Sequence, residues 1–121
     1  MPKVRIVADY CCPGYLLADD AARSFDRLPV DETICERLAA WSARFEHDCD
    51  PRDFEDITGK RFDFVAFARE GLELAKAVKR ALPDWTVVYW DDSYDWFLAR
   101  DPRSYDPAKA EYEVTLRDAL R

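Results

Sequence analysis

Residues 85–90, WTVVYW, constrain the fold of this chain more than any other segment. The run is apolar or aromatic on both faces of an extended chain, which is typical of an interior strand covered on both sides. Two helices can cover one of these faces if they pack together there. The other face needs a second cover, for which the candidates are residues 9–30, the C-terminal region or a second subunit.

An N-terminal strand and an amphipathic helix precede this run. Residues 3–8, KVRIVA, alternate apolar and basic side chains, which is the period of a strand with one buried face. Asp31 is suited to cap a helix that continues to about His47, since its carboxylate can accept from the free amides of the first turn. The apolar stripe of this helix is Ile34, Leu38, Trp41 and Phe45.

A second amphipathic helix is predicted to begin near Asp63 and to end before Pro83. Gly71 lies in the middle of its apolar stripe, where glycine costs roughly 1 kcal/mol relative to alanine. We therefore expect close packing at Gly71. The complete stripe is Phe64, Phe67, Gly71, Leu74, Val78 and Ala81.

The remaining segments are less regular. Residues 9–29 hold two prolines and a glycine and are predicted as a long loop. Residues 96–99 and 112–116 are strand candidates, although a final helix from Pro107 fits nearly as well. We predict one α+β domain over residues 1–121, with a β-α-α-β core and two helices on one face of a small sheet. One or two further C-terminal strands, or a final helix, complete it.

The charge balance narrows the classes of partner. The chain has 18 basic and 25 acidic residues, a net charge of −7 at pH 7. Nucleic acids and anionic membrane surfaces are therefore not expected as partners, because both are bound through clusters of Lys and Arg. A basic protein is the consistent choice. The sequence contains neither a secretory signal nor an apolar run long enough to span a bilayer, which predicts a cytoplasmic protein with free thiols.

The spacing of the cysteine and histidine residues does not match that of a metal site. Structural zinc sites draw ligands from two short pairs, whereas here Cys11 and Cys12 are adjacent, His47 and Cys49 form the second pair and Cys35 stands alone on a helix. The acidic segment 48–56 fails the spacing of a calcium loop. With 3 glycines in total, dinucleotide and phosphate fingerprints are excluded. No metal, cofactor or catalytic residue is expected.

The segment YWDDSYDWF, residues 89–97, is the candidate functional site. It interleaves aromatic and acidic side chains just past the predicted interior strand, and exposed aromatics beside acids are frequent anchors of protein interfaces. Core aromatics with a solvated acidic turn are the first interpretation of this segment, ahead of a partner-binding face and of an active site. The candidate binding residues are Tyr89, Asp91, Asp92, Tyr94, Asp95 and Trp96.

Three stretches of the sequence are similar to segments of other proteins. ADY at residues 8–10, LPVDETICERLAAW at 28–41 and EGLELAKAVKRALPDWTVVYWD at 70–91 resemble small bacterial proteins of unassigned function. The resemblance implies a bacterial, intracellular origin. It brings no catalytic residue with it.

Three functional hypotheses follow. The leading one is a small acidic, non-catalytic protein-binding module of the inhibitor or immunity type, acting on a basic partner. The second is a small-molecule-binding protein or enzyme that uses Asp91, Asp92 and Asp95 near the strand end, together with Asp9. The third is a homodimer formed through the second apolar face of residues 85–90.

Overall fold

The computed structural model describes residues 3–7, 14–17, 22–23, 29–48, 62–91, 94, 106 and 110–120. These residues form an α+β arrangement in which the helices pack against a mixed sheet. The strands are β1 (Lys3–Val7), β2 (Gly14–Leu17), β3 (Ala22–Arg23), β4 (Thr86–Trp90) and β5 (Glu111–Val114). The helices are α1 (Glu32–Asp48), α2 (Phe64–Ala81) and α3 (Leu116–Ala119).

The sheet has the strand order β3-β2-β1-β4-β5. β1 and β4 are parallel neighbours, with Val4 opposite Val87 and Ile6 opposite Tyr89, and the other pairs are antiparallel. Parallel neighbours need a long crossover, and α1 and α2 lie within the one between these strands. The prediction that the first strand and residues 85–90 share one sheet is confirmed.

The inward face of the sheet is apolar and carries the core. Val4, Ile6, Val87 and Tyr89 have no exposed surface, and Val114 on β5 is also buried. They alternate with outward residues along their strands, as the period of two requires. This face packs against the apolar stripes of the helices.

Helix α1 begins where its cap was predicted. The Asp31 carboxylate accepts a hydrogen bond of 2.8 Å from the Thr33 amide. Leu38, Trp41 and Phe45 of the predicted stripe are buried. The Trp41 ring stacks on Phe67 of α2 with centroids 4.7 Å apart and 11° between planes, which fixes the two helices against each other.

Helix α2 also agrees with the prediction at both ends. The Asp63 carboxylate caps it by accepting from the Ala66 amide at 2.9 Å, and the helix stops at Ala81 ahead of Pro83. The predicted stripe is buried except for its last member, Ala81, which is exposed because the helix ends there. None of the described helices is long and apolar enough to cross a bilayer.

One prediction is corrected, and the alternatives left open at the C-terminal end are resolved. The segment 9–29 is not simply a long loop, because it contains β2 and β3, which pair with each other and extend the sheet beyond β1. At the C-terminal end the alternatives were a strand over residues 112–116 and a final helix from Pro107. The structure contains both, because β5 occupies the first part of the predicted helix and α3 begins one residue after β5 ends. The strand candidate at 96–99 lies outside the described residues.

The outward face of β4 is covered in part by the sheet's own side chains. Arg5 on β1 forms an ion pair of 3.0 Å with Glu111 on β5, and so reaches across β4. Val88, the register partner of Arg5 on β4, is only 7% exposed. A homodimer through this face stays a prediction.

Candidate functional site

Tyr89, the first residue of the candidate segment, points into the protein core. Its side chain has no exposed surface, and its hydroxyl donates a hydrogen bond of 2.7 Å to the Ala68 carbonyl on α2. Its ring lies edge-on to Tyr112 of β5, with centroids 5.9 Å apart. Tyr89 therefore holds β4, the strand that precedes the rest of the segment, against α2. Its side chain has no exposed surface with which to contact a partner.

The chain turns directly after β4 at Asp91. The Asp91 amide donates to the Ala110 carbonyl at 2.8 Å, which continues the pairing with β5 by one step. The Tyr94 amide reaches both the Asp91 carbonyl, at 3.2 Å, and the Asp91 carboxylate, at 3.3 Å. The Tyr94 hydroxyl accepts from the Asp106 amide at 2.7 Å. Both side chains are half-buried and are held by backbone contacts.

Asp92, Asp95 and Trp96 lie outside the described residues, as does Asp9. The binding surface predicted over residues 89–96 therefore stays a prediction, of which Asp91 and Tyr94 are the two half-buried members whose position is described. The alternative of a carboxylate site also stays a prediction, with only Asp91 of its members described.

A cleft of about 310 Å³ lies between α2, β5 and α3. Leu72 and Lys76 line it from α2, where a spacing of four places both on one helix face. Tyr112 and Val114 line it from β5, where alternation turns both toward α2. Asp118 on α3 completes the lining among the described residues.

The phenol of Tyr112 reports the electrostatic character of this cleft. Burial, together with the nearby carboxylates of Asp91 and Asp118, raises its pKa from 10.0 to about 12. The phenol is therefore neutral at physiological pH and keeps its proton for hydrogen bonding. Asp91 and Asp118 are both negatively charged and disfavour a phenolate at this position.

Asp118 is held in place by a reciprocal capping box with Thr115. Its carboxylate accepts from the Thr115 amide at 3.1 Å and from the Thr115 hydroxyl at 2.8 Å, while its own amide donates to that hydroxyl at 3.1 Å. The other end of α3 is tied to α2, because Arg80 donates to the Ala119 carbonyl at 2.6 Å. The carboxylate therefore has a fixed position at the cleft.

Lys76 is the cation among the described lining residues. Its ammonium forms an ion pair of 3.3 Å with Glu73 one helical turn earlier, and its side chain is 18% exposed. Its charge is therefore balanced within α2, and its methylene stem is available as part of the cleft wall.

This cleft was not predicted from the sequence. Its lining comes from three elements, and no local sequence pattern indicates that these elements pack together. The residues concerned are Leu72, Lys76, Tyr112 and Asp118. Two signals were present, namely the alternation in EYEV and the Thr115-x-x-Asp118 spacing that is typical of a helix start. Neither signal says which helix the strand packs against.

No group of three or more His, Cys, Asp and Glu side chains suited to hold a metal ion occurs among the described residues. Cys35 is buried on α1 and forms no disulfide bond among the described residues. Cys11, Cys12, Cys49 and the acidic segment 49–56 lie outside the described residues. Their predicted states stay predictions.

Comparison with known proteins decides the family. A family model described as Serratia CdiI immunity protein-like matches residues 2–92, about three quarters of the chain. This chain belongs to the Serratia CdiI immunity protein-like family. The residues matched to this family include β1, α1, α2, β4 and Asp91, and therefore the α2 side of the cleft. No curated protein matches the chain.

Proposed function

We propose that this chain is a non-catalytic immunity protein that binds a basic toxin in the bacterial cytoplasm and so blocks it. Membership of the immunity protein-like family, by a match over residues 2–92, is the observation that carries this proposal. An immunity protein needs a binding surface and no reaction of its own. That requirement agrees with a sequence in which no catalytic or cofactor motif occurs.

Charge supports the choice of a basic toxin. The net charge of −7 gives the chain a long-range attraction for cations and repulsion for nucleic acid. Complementary charge raises association rates and suppresses wrong partners more than it raises affinity. Fast capture is what a protein that protects against a toxin requires.

The surface that we propose for the toxin begins at Asp91 and includes Tyr94 and the remaining predicted residues Asp92, Asp95 and Trp96. Asp91 and Tyr94 support it because their backbone contacts fix them relative to β5. A surface that is ordered before binding loses less conformational entropy in the complex. Tyr89 contributes from below by holding β4 to α2.

Growth of a bacterial host tests the function. The open reading frames next to this chain's gene are expressed singly, and one that arrests growth is co-expressed with this chain. We expect growth to recover and the two proteins to co-purify as a complex. The absence of any toxic neighbour, or arrest that this chain does not relieve, would overturn the proposal.

Two matched variants test the position of the surface. Asp91→Asn removes one charge and keeps the acceptor for the Tyr94 amide, whereas Asp84→Asn removes one charge from an exposed turn at the other end of β4. We expect Asp91→Asn to slow association with the toxin and to flatten its salt dependence more than Asp84→Asn does. Equal effects would place the surface elsewhere.

A further inference from the structure

The cleft between α2, β5 and α3 combines an apolar wall with an acidic end. Leu72 and Val114 supply apolar surface, and Asp118 supplies a carboxylate whose position its capping box fixes. Tyr112 adds an aromatic wall with a neutral hydroxyl. The volume of about 310 Å³ lies at the lower end of the range for small-ligand sites, roughly 300–1,000 Å³. One long side chain with some water fits that space.

The charges around the cleft determine which sign of charge a bound group should carry. Burial is the main reason for the raised pKa of Tyr112, and the negative charges of Asp91 and Asp118 act on its hydroxyl in the same direction. The cation in the lining, Lys76, is already paired with Glu73. An anionic group would be repelled here, and a wholly apolar group would desolvate the Asp118 carboxylate without replacing its hydration.

A basic side chain satisfies both parts of the cleft. Its methylene stem can pack on Leu72 and Val114, while its charged head reaches Asp118 in a charge-assisted hydrogen bond. A guanidinium can also stack on the Tyr112 ring, since cations are attracted to aromatic faces. No other class of amino-acid side chain pairs an apolar stem with a positive head.

We propose that this cleft is the pocket in which the protein receives one arginine or lysine side chain of its toxin. The inference rests on the proposed function, because it takes the toxin as the source of the side chain. It places the pocket outside the predicted segment 89–97, from which only the charge of Asp91 acts on the Tyr112 wall. The pocket thereby joins α2 and the C-terminal elements into one binding surface.

Binding of a small probe to the chain alone tests the pocket. N-acetyl-arginine amide is titrated into labelled protein and followed by amide chemical shifts, with N-acetyl-citrulline amide as the uncharged control of matched shape. We expect shifts at Leu72, Lys76, Tyr112 and Asp118 with the arginine probe, and at least about tenfold weaker binding of citrulline. Equal binding of both probes, or arginine shifts at other residues only, would overturn the inference.

Three variants sharpen this measurement. Asp118→Asn removes the charge and keeps a side-chain acceptor for Thr115, so the capped helix is retained while arginine binding falls on the order of tenfold. Lys76→Met keeps the stem and leaves the Glu73 carboxylate without its ion-pair partner, so arginine binding strengthens. Asp84→Asn is the charge-matched control and leaves binding unchanged. Weaker binding by Lys76→Met, or an effect of Asp84→Asn equal to that of Asp118→Asn, contradicts the pocket.

The toxin complex separates the two proposals. If the chain neutralises the toxin and Asp118→Asn leaves the affinity unchanged, the pocket is wrong and the immunity function stands. If the free chain selects arginine but neutralises no toxin, the immunity function is wrong, and the assignment of the side chain to a toxin fails with it. Neutralisation that weakens about tenfold in Asp118→Asn and not in Asp84→Asn supports both.

Discussion

Trp41 and Tyr89 donate hydrogen bonds to the carbonyls of consecutive residues on α2. The Trp41 indole reaches the Phe67 carbonyl at 3.0 Å and the Tyr89 hydroxyl reaches the Ala68 carbonyl at 2.7 Å. The two rings lie 6.5 Å apart, one from α1 and one from β4. Gly71 lies beneath both, and its missing side chain makes room for them.

Replacement of Gly71 by alanine should therefore destabilise the protein. A Cβ atom would lie 2.6 Å from the Tyr89 hydroxyl oxygen and 2.8 Å from Trp41 Cε2, and would overlap Trp41 Cζ2 as well. Overpacking of this kind costs about 1–3 kcal/mol, which exceeds the helix-propensity gain of roughly 1 kcal/mol. Urea unfolding measures the difference.

Ala77→Gly, in the same helix, calibrates the propensity term for the Gly71→Ala experiment. We expect it to lower the free energy of unfolding by about 1 kcal/mol. If Gly71→Ala instead raises the free energy of unfolding by that amount, the close approach of the two rings is not required.

Replacement of Ser42 by alanine should stabilise the protein. Ser42 lies in α1 with no exposed surface, and its hydroxyl has no hydrogen-bond partner among the described residues. An unsatisfied buried polar group costs about 1–3 kcal/mol, and alanine is the better helix former. We expect the free energy of unfolding to rise by about 1 kcal/mol without a change in the denaturant slope. A loss of stability would reveal a partner for this hydroxyl.

Stability at high pH should depend on Tyr112. Its native pKa is raised from 10.0 to about 12, so the unfolded chain loses this proton at a lower pH than the native protein does. The contribution of the neutral phenol is complete below about pH 10 and is lost as the pH rises toward 12. Tyr112→Phe has no such proton, and its free energy of unfolding should fall less over this window.

Titration of the phenolate absorbance provides the control for Tyr112. The absorbance change that is lost in Tyr112→Phe identifies this phenol, and it should ionise at lower pH in Asp118→Asn, because that variant removes one of the charges that raise the pKa. An unchanged titration would show that Asp118 does not act on Tyr112.

The ion pair between Arg5 and Glu111 should contribute little to stability despite its span. Both side chains are about one-third exposed, and such pairs are worth about 0.2–1 kcal/mol. A double-mutant cycle with Arg5→Met and Glu111→Gln measures the coupling, which should decline with added salt. A coupling well above 1 kcal/mol would mean that the pair is screened from water far more than its exposure indicates.

Local patterns predicted most of the fold. The capping carboxylates of Asp31 and Asp63, the helical stripes and the close packing at Gly71 all depend on residues near one another in sequence. The β2–β3 hairpin was not predicted, because the proline and glycine in this segment favour a loop. In the structure, pairing with β1 outweighs that preference. The cleft was not predicted for a different reason. Leu72 and Tyr112 come together only when β5 pairs with β4, and no local pattern in the sequence indicates that pairing.

The parallel pairing of β1 with β4 also sets the order of events during synthesis. Val4 pairs with Val87, more than eighty positions later in the chain. At translation rates of about 5–20 residues per second, β1 waits roughly 4–16 s for this neighbour. Contacts of such sequence separation also slow folding itself. Val4 and Ile6 therefore remain without this partner strand while the helices form, and the newly made chain passes through an interval in which its first strand is open to chaperones and to aggregation.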